Sequence, residues 1–92
     1  MKILLFCVNE ESCPMCGVVK NQLKNIARLF PEEIKLTIVD PTESIVLAQE
    51  YGVSKVPTTY FMKNNQIVHM VEGEFLNADV SFLHNWILKS RR

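Results

Sequence analysis

The sequence is short of most features that would narrow its chemistry at once. Neither charge is in excess: ten acidic and ten basic residues leave a formal net charge of zero. That argues against nucleic acid or an anionic membrane surface as partner. No apolar run approaches the roughly 20 residues needed to span a bilayer. Lys2 ahead of "ILLFCV" has a faint look of a signal peptide, but the run is too short and "NEES" follows with no small-residue cleavage site. Cysteine is scarce and odd in number, three in 92 residues, which speaks against a small secreted disulfide scaffold. Linkers, internal repeats and low-complexity segments are missing too. The expectation is one domain, residues 1–92, in the reducing cytoplasm.

What is present is a core and a pattern. Hydrophobic residues make up 48% of the chain, enough to fold without a metal or a staple. Ile3 to Val8 is a continuous apolar run, as in a strand covered on both faces. From Cys13 onward, Cys16, Val19, Leu23, Ile26, Ala27 and Phe30 recur at helical steps, with Pro14 suited to the first turn and Pro31 to the end. Ile34, Leu36 and Ile38 alternate with Glu33, Lys35 and Thr37, which predicts a strand with one buried face. Asp40-Pro41-Thr42-Glu43 reads as a capped helix start, with the helix over Ile45 to Tyr51 and Gly52 as its left-handed stop.

Thr58 to Met62 and Ile67 to Val71 are β-rich runs, and Asn64-Asn65 between them predicts a hairpin. Asn77 reads as the cap of a last helix whose Val80, Leu83, Trp86 and Ile87 share a face. Phe82, Met62 and Met70 are expected in or beside the core. Lys89, Arg91 and Arg92 complement that helix's negative end. The order is β-α-β-α-β-β-α, and a four-stranded mixed sheet flanked by three helices buries these faces most simply.

The stretch "ESCPMCGVVK" carries the chemistry. Cys13 falls at the start of the first helix and Cys16 one turn on, which puts both sulfurs on one side within disulfide reach. Unpaired N–H groups and the positive helix end favour a thiolate at Cys13, making it the better nucleophile; Glu10 and Glu11 work weakly against this. Cys16, more enclosed, suits resolution of a mixed disulfide. A zinc site would want four ligands, and His69 and His84 lack the spacing to join Cys7 and this pair. A purely structural pair would close a loop too short to constrain the unfolded chain much. Thiol–disulfide exchange accounts for the pair better than either.

With CxxC on a strand-to-helix turn and "YGVSKVPT" at Tyr51–Thr58, the sequence resembles the thioredoxin and glutaredoxin family over nearly its whole length. The resemblance implies an α/β thioredoxin-like fold and a protein-disulfide reductase with catalytic Cys13 and Cys16. It also implies that Pro57 is cis beside the disulfide, that the Val56 backbone receives an extended substrate, and that Gly73 lies close by. Pro14 and Met15, between the cysteines, are expected to tune the reduction potential and to line the substrate contact, Met15 as an adaptable apolar side chain on an exposed turn. No cofactor would be bound beyond the Cys13–Cys16 disulfide. Partners would be disulfide-bearing proteins and an electron donor, either a thioredoxin-reductase-type flavoenzyme or glutathione, with the chain a monomer.

Several positions depart from the family pattern. Ser12 precedes the motif where thioredoxins have tryptophan, and Met15 fills the glutaredoxin aromatic slot. Lys55 stands where glutaredoxins place threonine, and Gly73 is alone between Glu72 and Glu74, with Asp79 left to support the last helix. Cys7, six residues before Cys13, occupies the place of the thioredoxin buried acid and reads as a small buried hydrophobe on the central strand. The alternatives are a glutathione-dependent glutaredoxin and a non-catalytic module that holds a metal or a protein.

Overall fold

The computed structural model describes residues 1–90. Its elements are β1 (Lys2–Phe6), α1 (Pro14–Leu29), β2 (Lys35–Val39), α2 (Ile45–Glu50), β3 (Thr58–Lys63), β4 (Gln66–Glu72) and α3 (Asn77–Ser90). The four strands form one mixed sheet in the order β2-β1-β3-β4, with β1 parallel to β2 and antiparallel to β3. This is the expected β-α-β-α-β-β-α arrangement.

The apolar run at the N-terminus becomes β1 because the sheet is covered on both sides. Ile3 and Leu5 join Cys16, Val19 and Leu23 of α1 and Leu83 and Ile87 of α3. Leu4 and Phe6 face the other way, onto Val39, Ala48, Tyr60 and Met62. Each such side chain contributes about 1.5–3 kcal/mol by leaving water. The strand stops at Phe6, short of the expected Val8. The Cys7 N–H makes one last bond to the Val39 carbonyl (3.0 Å) before the chain departs toward α1.

Beyond β1, the second strand departs most from expectation. Ile34 is buried and Leu36 packs on the first cluster, but Ile38 is 38% exposed and Val39 is buried on the opposite face. β2 is an edge strand of a sheet covered on both sides, so it divides its apolar residues between them.

The α2 helix begins at Ile45 as expected, but its cap is not Asp40. Asp40 Oδ1 accepts from the Thr42 N–H (2.8 Å) and hydroxyl (2.6 Å), and its carbonyl accepts from Glu43 and Ser44. Those bonds close a turn ahead of the helix, and Ser44 occupies the cap position. Gly52 is left-handed (φ +66°), as its place after the helix predicts.

The β3–β4 hairpin turns at Asn64 and Asn65, both at positive φ (53° and 63°), as a two-residue turn matched to strand twist requires. A register shift at Phe61/Met62 bends β4, and Met70, expected near the core, is 47% exposed on this edge strand.

In α3 Asn77 is the first helical residue rather than the cap. Leu76 stands in the cap place: its carbonyl accepts the Asp79 N–H (3.0 Å), and its own N–H is taken by Asp79 Oδ2 (2.9 Å). Leu83 and Ile87 are buried and Trp86 half-buried, but Val80, expected on the same face, is 52% exposed at the rim of a groove between α1 and α3. Lys89 lies in the last turn, while Arg91 and Arg92 fall outside the described residues.

Asp79 has a second partner. Its Oδ1 lies 2.7 Å from His69 Nε2, and the His69 ring stacks on Phe82 at 4.4 Å. Burial alone would raise the Asp79 carboxyl, but the Leu76 N–H and His69 outweigh it and hold the carboxyl below the ordinary range. The ionised form therefore favours the folded state above the ordinary carboxylate value, and that support is lost as pH falls through the lowered one. Asp79→Asn should lower stability at neutral pH and flatten its fall below about pH 4. Urea midpoints measured across that range test this; an unchanged acid limb would refute it.

One core polar atom stands out. Thr59, fully buried in β3, has a hydroxyl with no partner among the described residues. Leaving such a group unpaired costs about 1–3 kcal/mol, whereas an apolar side chain of the same shape has no such cost. Thr59→Val is expected to raise the melting temperature, and a fall would show the hydroxyl to be satisfied.

Candidate redox site

Phe6, Thr58 and Glu72 are in register across β1, β3 and β4, so the residues just beyond them emerge at one end of the sheet. Cys7 and the loop to α1 leave β1 there, Pro57 leads into β3 there, and Gly73 follows β4 there. Asn9 organises the loop: its side-chain oxygen accepts the Ser12 N–H (2.9 Å) and its carbonyl accepts the Cys13 N–H (3.0 Å). The chain is thereby turned so that Cys13 caps α1 and Pro14, exposed, takes the first helical position.

Cys13 Sγ accepts the Cys16 N–H at 3.1 Å, a bond that favours charge on that sulfur. Cys13 and Cys16 are joined as a disulfide with their Cα atoms 5.2 Å apart. The two sulfurs differ in access: Cys13 is half-buried, whereas Cys16 has no exposed surface. Met15, expected on an exposed turn, instead lies inside α1, half-buried and packed against the first core cluster.

Facing the cysteines is the loop into β3. The Val56–Pro57 bond is cis and Pro57 is fully buried. The Val56 carbonyl lies 4.0 Å from Cys13 Sγ. Two bonds fix this loop: the Thr58 hydroxyl donates to the Lys55 carbonyl (2.6 Å), and the Gly73 N–H donates to the Pro57 carbonyl (2.8 Å). Gly73 has φ +88°, a conformation that suits glycine and strains a side chain. Cys13, Cys16, Val56 and Pro57 are thus brought together at one end of the sheet, with Gly73 joined through its bond to Pro57.

Asn9, which shapes the site, was not singled out. Its placement a few residues before a Cys-Pro helix start was the available signal.

Cys7 lies just past the end of β1, not within it, and is buried in the same core cluster as Cys16. Burial pushes its thiol above the ordinary value; Lys20 opposes this and Asp40 adds to it. Among the described residues no group of three or more His, Cys, Asp or Glu is placed to hold a metal ion.

A CxxC disulfide on the first turn of a helix, set against a cis-proline at one end of a four-stranded mixed sheet, defines a thioredoxin-like dithiol domain. The chain belongs to the thioredoxin family, whose model matches residues 2–87. It is 33% identical to thioredoxin 1 of Nostoc sp. over 61 residues, 66% of this chain and 57% of that protein. To the chloroplastic F-type thioredoxin of Brassica napus it is 29% identical over 72 residues, 78% of this chain and 40% of that protein. These matches thus span little more than half the length of such relatives, or less. Among solved structures, thioredoxin 1 of Thermosipho africanus TCF52B superimposes with a TM-score of 0.81 over the whole of both chains, at 20% identity. Fasciola hepatica thioredoxin gives 0.74 over 96% of this chain and 78% of that one, at 23% identity. These likenesses show the shared fold. No helix among the described residues is long and apolar enough to cross a membrane.

Proposed function

We propose that the protein is a thiol–disulfide oxidoreductase that reduces protein disulfides through Cys13 and Cys16. The observation that carries this is the asymmetry of the pair: an accessible sulfur at a helix N-terminus, bonded to a fully buried one, beside the Val56 carbonyl. In the reduced protein the Cys13 thiolate is stabilised by the Cys16 N–H and attacks one sulfur of a substrate disulfide. That S–S bond breaks, the other substrate sulfur leaves as a thiolate and takes up a proton, and a mixed disulfide joins Cys13 to the sulfur it attacked. Cys16 loses its proton and attacks Cys13 Sγ. The Cys13–Cys16 bond forms, the second substrate thiolate leaves, and two electrons have passed from the dithiol to the substrate.

Val56 and Pro57 are the substrate-binding elements in this reading, because the Val56 main chain can pair with an extended segment and present its disulfide to Cys13. Pro14, exposed beside Cys13, and Gly73, beside Pro57, complete the contact surface; half-buried Met15 contributes its outer edge. Electrons return from a thioredoxin-reductase-type flavoenzyme, with glutathione as the alternative donor.

Equilibration with glutathione redox buffers, followed by alkylation of remaining thiols, tests the proposal. A reversible Cys13–Cys16 couple with a potential near about −270 mV supports a reductase fed by a flavoenzyme, and one near about −200 mV supports glutathione as the donor. Failure of the two cysteines to form a disulfide at any buffer ratio would refute exchange altogether.

A further inference from the structure

Beside the redox pair, on the side away from Gly73, lies an open depression of about 240 Å³. Val8, Pro41, Val53 and Val56 form its apolar wall, and Lys55 is the one charged residue among those that line it. Resting on the exchange reading above, we propose that Lys55 makes the site selective for disulfides that carry a carboxylate next to the reactive sulfur.

Position is the first argument. Val56 belongs to the wall, and its carbonyl is 4.0 Å from Cys13 Sγ. A group seated in the depression is therefore a near neighbour of the exchanging sulfur. Lys55 is exposed, yet its main chain is pinned, because its carbonyl accepts the Thr58 hydroxyl at 2.6 Å. The ammonium group thus swings from a fixed root at the rim.

Charge is the second. Among the described residues Lys55 has no carboxylate within ion-pair distance. Asp40, adjacent to Pro41 of the wall, already has Oδ1 engaged by two bonds from Thr42. The exposed residues on two other flanks of the pair are acidic, while Lys20 and Lys24 act from the α1 side on buried Cys7. Glu72 and Glu74 flank Gly73, and Glu10 and Glu11 precede Cys13, all four exposed. A carboxylate arriving with the substrate is repelled on those flanks and met at the depression by Lys55. The same field orients a substrate: its acidic side toward the depression, any basic side toward Glu72 and Glu74. The carboxylate can come from an aspartate or glutamate of a protein or from a small peptide thiol such as glutathione.

The test uses three peptide disulfides that differ only in the residue beside the reactive cysteine (Asp, Gln or Lys), together with oxidised glutathione. Rates are measured for the wild type and Lys55→Glu at low and high salt. An exposed ion pair of this kind changes rates by roughly two- to five-fold. The wild type should prefer the Asp peptide over the Lys peptide by about that factor. Lys55→Glu should reverse the order, and about 0.5 M salt should erase it. A fall by that factor in glutathione disulfide reduction by the variant identifies the small peptide as a source, and an effect confined to the peptides identifies acidic proteins. Equal rates for all three peptides in the wild type, or an order unchanged in Lys55→Glu, overturns the proposal while leaving exchange intact. If the wild type reduces not even the Gln peptide, exchange itself fails and the selectivity with it.

Discussion

Cys16→Ser is expected to halt the reaction half-way, with substrate covalently attached to Cys13. The buried Cys16 side chain has room for a serine of nearly the same shape, so the fold should persist. A hydroxyl cannot displace a thiolate from a disulfide, and the mixed disulfide then has no internal exit. One equivalent of the first substrate thiol should appear and turnover should stop, with a mass increase equal to the retained half of the substrate. Cys13→Ser should behave differently. It removes the accessible nucleophile and leaves a sulfur with no exposed surface, so reduction should fall by roughly a thousand-fold or more and no adduct should accumulate. Adduct formation in Cys13→Ser but not in Cys16→Ser would reverse the roles. Full turnover in either variant would exclude the dithiol mechanism.

Phe61→Ala should be the most damaging substitution away from the site. The ring is fully buried in β3, edge-on to Phe75 at 5.9 Å and tilted against Phe82 at 5.8 Å, with His69 stacked on it at 5.5 Å. Truncation deletes the transfer energy of the ring and leaves a cavity that flanking β1 and β4 cannot collapse into, a loss of about 3–5 kcal/mol. A chain of this length has roughly 5–14 kcal/mol of stability in total, so the variant should be marginal or unfolded at room temperature. The urea midpoint measures the loss directly. Phe61→Leu should recover most of it, and a loss under about 1 kcal/mol for the alanine variant would mean the core had repacked.

Most of this architecture could be read from local pattern. The β1 run, the helix opened by Pro14, the Asn64-Asn65 turn and the Gly52 stop each carry a conformational demand that a single residue type satisfies. The core of the site could be read for the same reason, since a CxxC at a helix start and a Val-Pro-Thr entry to a strand are local features. What escaped depends on neighbours distant in sequence. Alternation in β2 describes one buried face, but a strand at the edge of a sheet covered on both sides exposes Ile38 and buries Val39. Asp40 was expected to cap the second helix, yet its side chain closes a turn with Thr42 and Ser44 takes the cap position. The period of α3 included Val80, although only Leu83 and Ile87 are buried. The His69–Asp79 pair joins two elements whose separate sequences give no hint of each other.

The seclusion of Cys7 has a practical consequence for anyone who handles the protein. Of its three thiols, two belong to the exchanging pair and the third is enclosed, its proton held more tightly by burial. In the folded chain, with Cys13 and Cys16 joined, an alkylating reagent should therefore find nothing to label. A single label appearing over time would be a stopwatch for opening of the core, and every preparation carries it without an added probe.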